Sequence, residues 1–124
     1  MDKVVWFELP ADDTGRAADF YAKTFGWDSP GMGTESRMLI TTPSNENGEP
    51  TEAGAINGDI SPRNETFNQT TLVVAVADIE DKIKKVEAAG GRVVRPREEL
   101  KEMKAAYALV ADTEGNVIGL LQDL

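Results

Sequence analysis

One plan is written twice in this chain. Residues 6 to 27 run as an apolar strand, an Asp, an amphipathic helix and a Gly leading into another strand, and residues 71 to 92 follow the same order. Asp13 stands 13 residues before Gly26, and Asp78 stands 13 before Gly91, so the copies keep an offset of 65 throughout. A duplicated module restricts the fold strongly. Two equivalent halves related by a pseudo-two-fold axis leave a concave surface between them, the place where ligands bind. The second constraint is chemical: the 124 residues include no His and no Cys, so any site works without imidazole or thiol.

The length fits one domain spanning residues 1–124 with a continuous core, and 40% hydrophobic with 28% charged residues is ordinary globular composition. With 22 acidic against 13 basic side chains the formal net charge is −9. Such a charge repels phosphate backbones and anionic lipid surfaces, which argues against nucleic acid and membrane as partners. The start, Met1-Asp2-Lys3-Val4-Val5-Trp6, reads as a short strand and lacks the apolar stretch of a signal peptide or spanning helix, so the expected location is cytoplasmic.

Val4 to Leu9 reads as a strand, and Asp12, Asp13 and Thr14 offer helix N-caps ahead of Ala17, Ala18, Phe20, Tyr21 and Phe25 at helical spacing, with Gly26 as the stop. Short strands are expected at Trp27, at Arg37 to Thr42 and at Ala53 to Asn57, which closes a first module of about residues 1–58. The polar stretch of about 59–68, with Pro62, reads as a link, and the second module occupies about 69–124. There Gln69 to Val76 is the strongest strand. Asp78 to Ala89 is a helix with Ile79, Ile83, Val86 and Ala89 on one face. Arg92 to Val94 continues as a strand. The charged run that follows, Arg95 to Lys104, is a solvated surface or a lid, and its Pro96 to Lys104 part has room for one helical turn. Ala105 to Ala111 and Val117 to Gln122 form a hairpin around Asp112-Thr113-Glu114-Gly115-Asn116. Each half therefore reads as strand, helix and three strands.

In this order the motifs resemble the vicinal oxygen chelate superfamily of glyoxalase I, bleomycin-resistance proteins and extradiol dioxygenases. The resemblance rests on Phe7-Glu8-Leu9-Pro10 with Asp13, on Arg16-Ala17-Ala18-Asp19-Phe20-Tyr21 to Phe25-Gly26-Trp27, on Val76-Ala77-Asp78 with Gly90-Gly91, and above all on Asp112-Thr113-Glu114-Gly115-Asn116-Val117-Ile118. It implies an α+β domain of two βαβββ modules whose curved mixed sheet encloses a cleft. It also implies metal-ligand positions on the first strand of each module, on the fourth strand and on the last strand. Those positions fall on Trp6, on Thr71, within Gly54 to Asn57, and on Gly119, and none carries the usual His, Gln or Glu. One hydroxyl and one amide are too few donors for Zn, Ni or Fe, so neither a metal nor another cofactor is expected.

Strand alternation places Val4, Trp6 and Glu8 on one face and Val5, Phe7 and Leu9 on the other. If position 6 faces the cleft, Glu8 stands beside a large apolar ring, a setting that raises a carboxyl pKa and suits a general acid or base. A Glu hydrogen-bonded at a solvated mouth is the structural alternative. Trp6 is either a stacking wall for a planar ligand or a plug in the space of a lost metal site. The expected ligand contacts are Trp6, Glu8, Met38, Asn57, Thr71, Val73, Tyr107, Gly119 and Leu121. Met38 would look the same as an ordinary core residue. The register of Tyr107 is not set by its neighbours, and core is its simpler assignment.

The sequence therefore reads as a cytoplasmic, homodimeric protein that binds a small, partly apolar molecule without a metal. An enzyme of the same superfamily using Glu8 or an atypical metal site is one alternative. A homodimeric interaction module with a filled cleft is the other.

Overall fold

A computed structural model describes residues Met1–Leu124. Two helices and seven strands follow in the order β1 (Lys3–Ala11), α1 (Thr14–Phe25), β2 (Arg37–Leu39), β3 (Asn57–Pro62), β4 (Thr71–Ala75), α2 (Ile79–Ala88), β5 (Arg92–Leu100), β6 (Ala105–Ala111) and β7 (Val117–Asp123). This is the α+β class expected from the sequence. The chain divides into two compact units, Trp6–Thr70 and Met1–Val5 with Thr71–Leu124.

In the unit Trp6–Thr70, β3 lies between β1 and β2, parallel to the first and antiparallel to the second. Of the three candidate caps it is Asp13 that starts α1, its carboxylate accepting the Arg16 N–H at 2.9 Å. Gly26 ends the helix at φ 73°, a left-handed turn that a β-carbon disfavours. The helix lays Ala17, Ala18 and Tyr21 on Phe7, Leu9, Ala11, Leu39 and Ile60. Leu39 and Ile60 are fully buried there, and truncating either to Ala would cost about 2–5 kcal/mol. Phe20 and Phe25, expected on the packed face, are instead 58% and 59% exposed. Their rings lean on other aromatics, Phe20 on Tyr21 at 5.2 Å and Phe25 on Trp27 at 5.1 Å between centroids.

Two strand expectations are corrected in this unit. The strand at Trp27 reduces to a single bridge between Asp28 and Ile40. The strand expected at Ala53 to Asn57 begins only at Asn57 and runs to Pro62, into the polar stretch read as a link. Asn57-Gly58-Asp59-Ile60-Ser61-Pro62 has the composition of a turn, yet its first four residues are buried between two partner strands. Ladder hydrogen bonds and burial override local preference here. Gly58 shows why a residue without a side chain is used, since a β-carbon there would lie 2.3 Å from the Phe7 carbonyl oxygen.

In the other unit the strand order is β4-β7-β6-β5, with β4 parallel to β7 and β6 antiparallel to both neighbours. Asp78 caps α2 by accepting the Asp81 N–H at 3.1 Å, repeating the role of Asp13. Ile79, Ile83 and Val86 of α2 pack on Val74, Val76, Ala106, Ala108, Val110, Ile118 and Leu120. Ala89 lies outside this contact, exposed at the helix end. β5 is longer than the expected Arg92 to Val94, continuing through Pro96 to Leu100. It is the outer strand, and its register against β6 shifts between Val93 and Arg95 and again between Arg95 and Glu98, which lets a proline sit in it. The candidate lid is thus strand plus one 3-10 turn at Lys101–Met103. No helix is long and apolar enough to cross a membrane.

Candidate functional site

Because Phe7 and Leu9 lie under α1, the two-residue period of β1 turns Trp6 and Glu8 to the opposite sheet face. Register carries the neighbours with them: Trp6 pairs with Asn57, Glu8 with Asp59, and Met38 of β2 stands opposite Asp59. Trp6, Glu8, Met38 and Asn57 therefore share one face.

The residue that organises this face is Asp59. The Trp6 indole N–H donates to its Oδ2 at 2.6 Å and the Ser61 hydroxyl to its Oδ1 at 2.8 Å. The Glu8 side chain is a third hydrogen-bond partner. Ser61 and Ser36 hydroxyls stand 2.9 Å apart beyond it. Asp59 is only 6% exposed, and burial pushes its carboxyl above the ordinary value of 3.8, while the bonds from Trp6, Glu8 and Ser61 pull the other way. Gly54 to Asn57, where the fourth-strand position was expected, holds no carboxylate, and Asp59 lies two residues beyond it. A signal was available: Asn57, Asp59 and Ser61 alternate with Gly58, Ile60 and Pro62, polar against nonpolar with period two.

Asn57 is committed to its own unit. Its Oδ1 accepts the Thr41 N–H at 2.9 Å, and its Nδ2 donates to Ser44 Oγ at 2.8 Å and to the Gly48 carbonyl at 3.0 Å. The turn it holds also packs on Met38, whose Cε lies 2.3 Å from the place of a β-carbon on Gly48.

In the second unit α2 covers Val74, Ala106, Ala108, Ile118 and Leu120, so Thr71, Val73, Tyr107, Gly119 and Leu121 take the other face. Val73 pairs with Gly119 and Tyr107 with Leu121 across the ladders. Tyr107 is therefore not beneath the helix, which fixes the register that its sequence neighbours leave open. Its hydroxyl lies 2.8 Å from the position of a β-carbon on Gly119, with Val73 Cγ2 at 3.0 Å from the same point. Thr71 and Val73 are each 1% exposed. The nine residues singled out from the sequence thus fall into two sets, four on one unit's face and five on the other's.

These side chains do not fit a metal. Trp6 offers only a donor, Asn57 has its amide engaged, and Gly119 has no side chain, with the Tyr107 phenol standing where one would be. Thr71 leaves one hydroxyl. No group of three or more His, Cys, Asp or Glu is placed to hold a metal ion.

Two surface hollows of about 460 and 430 Å³ occur in the unit Trp6–Thr70, both at the start of α1 and both lined by Asp12 and Asp13. Neither is lined by Trp6, Glu8 or Met38.

Comparison with known proteins decides the family. Residues 3–120 match the model of the Glyoxalase/Bleomycin resistance protein/Dioxygenase superfamily. The chain belongs to this superfamily. Solved structures of superfamily type resemble it at low identity. A methylmalonyl-CoA epimerase in complex with methylmalonyl-CoA and NH4+ is 14% identical with a TM-score of 0.68, covering 99% of this chain and 95% of that one. A Streptomyces coelicolor methylmalonyl-CoA epimerase variant in complex with 2-nitronate-propionyl-CoA is 14% identical with a TM-score of 0.67, covering 98% and 94%. A superfamily member from Vibrio splendidus 12B01 is 15% identical with a TM-score of 0.63 over the whole of both chains. At such identities the likeness concerns the superfamily fold. No curated protein matches the chain in sequence.

Proposed function

We propose that this superfamily member binds a small, partly apolar molecule without a metal, using the sheet face that carries Trp6, Glu8 and Met38. The observation that carries the reading is the Trp6–Asp59 hydrogen bond at 2.6 Å, which fixes a large indole at the first-strand position. A fixed aromatic surface contributes contact area to a ligand with little loss of side-chain freedom on binding. The metal-free part rests on the donor set: an indole, an engaged amide, a glycine and one threonine are no ligand set for a divalent ion. The charge of −9 supports the absence of nucleic-acid and membrane partners, and the proposal includes a cytoplasmic location and a homodimer. Tag-free protein exposed to Ni, Zn, Mn and Fe salts and then gel-filtered is expected to carry no metal by elemental analysis, and one metal per chain would overturn the reading. A fluorescence screen in a Trp27→Phe background reports on Trp6, which ligands are expected to quench.

A second reading, an enzyme in which Glu8 moves a proton, is favoured by the contact between Glu8 and Asp59. It predicts that Glu8→Gln abolishes turnover of a substrate while leaving its binding nearly unchanged.

A further inference from the structure

We propose that Glu8 and Asp59 hold one proton between them and that its loss as pH rises loosens the tie between β1 and β3, a pH-sensitive switch in the sheet. The inference stands apart from any ligand. Glu8 and Asp59 are register partners on adjacent parallel strands, and both lie on the face turned away from α1. Register neighbours on one face stand about 5 Å apart at the strand spacing. Their carboxyl groups are hydrogen-bonded to each other, and a bond between two carboxyl groups requires a proton on one of them.

Burial and hydrogen bonding compete for that proton at Asp59. Both of its oxygens already accept, Oδ2 from Trp6 and Oδ1 from Ser61, and these donors favour the ionised form of Asp59. Burial outweighs them and raises the Asp59 carboxyl above 3.8, so the pair keeps its proton above that value. When it leaves, two negative charges face one another where Asp59 is 6% exposed. Other groups around Asp59 do not offset that repulsion. β1 turns Glu8 and Trp6 to it, β3 offers Ser61 and Asn57, and β2 places Met38 opposite. The turn against Asn57 and Met38 presents Gly48, and its Glu49 is bonded by Asn45. Arg37, next to Met38 on β2, lies beside Gly15 on the α1 side. No Lys or Arg acts on the Asp59 carboxyl.

The sign follows from linkage. The raised Asp59 value means that the folded protein binds more proton than the unfolded chain above 3.8. The stabilisation is complete below that value and is lost as pH climbs through the folded-state value. Across that window the folding constant falls by up to about tenfold per pH unit for one proton.

The test compares wild type with Glu8→Gln, whose amide still donates to Asp59 but does not titrate, by denaturant unfolding from about pH 4 to about pH 9. The expected result is a stability advantage of wild type at the acid end that declines as pH rises, while parallel curves would overturn the proposal. Carboxyl carbon-13 NMR of the wild-type protein tests it without any variant. Glu8 and Asp59 are expected to titrate together, with at least one step above the other carboxyl groups. Titration of both within the ordinary carboxyl range would overturn it.

Discussion

The hydroxyl of Tyr107 rests over Gly119, 2.8 Å from where a β-carbon would stand, so the two residues occupy one site between them. A side chain there and the phenol exclude each other. Gly119→Ala is expected to destabilise the protein by about 1–3 kcal/mol through overpacking. Combining it with Tyr107→Phe should recover part of the loss, as read by urea unfolding.

Trp6→Phe removes the N–H that Asp59 accepts at 2.6 Å and leaves a mostly buried carboxyl with one donor fewer. The expected cost is about 1–3 kcal/mol. That bond favours the ionised carboxyl, so the cost should grow as pH rises and Asp59 loses its proton. Denaturant curves for both proteins at two pH values check the trend.

Gly58→Ala would place a methyl group 2.3 Å from the Phe7 carbonyl oxygen and 2.7 Å from its ring. Neither β1 nor β3 moves freely, since Phe7 packs under α1. A loss of about 1–3 kcal/mol or more is expected, with β1–β3 amides exchanging faster in hydrogen–deuterium measurements.

Asp112 holds the last hairpin turn, accepting the Glu114 N–H at 2.8 Å and the Asn116 N–H at 2.9 Å. Bonds from the Asn116 side chain and backbone, followed by the Glu114 backbone, hold its carboxyl below the ordinary 3.8. A depressed value contributes stability that is present above 3.8 and is lost as pH falls through the folded-state value. Asp112→Ala should accordingly lower the Tm at neutral pH, and the gap to wild type should narrow as acid is added.

The first strand-helix unit shows what was legible in advance. Asp13 and Asp78 as caps, Gly26 as a stop, and the Asp112–Asn116 turn were all readable, because each acts over a few residues of chain. The alternation that turns Phe7 toward the helix and Trp6 away was equally local. Asp59 was missed because its strand looks like a turn. What makes Asn57–Pro62 a strand is burial between β1 and β2, and neither partner is near it in sequence.

The sequence by itself determined the duplicated plan, the superfamily, and the caps and turns. Tertiary structure alone decided that Trp6 reaches Asp59 across 53 residues, that Glu8 shares its bond, and that Tyr107 lies over Gly119. The physical reason is reach. Caps, turns and strand faces are set by hydrogen bonds and sterics within one turn of chain, whereas cross-strand partners depend on register. A slip of one residue would turn Asp59 to the helix side.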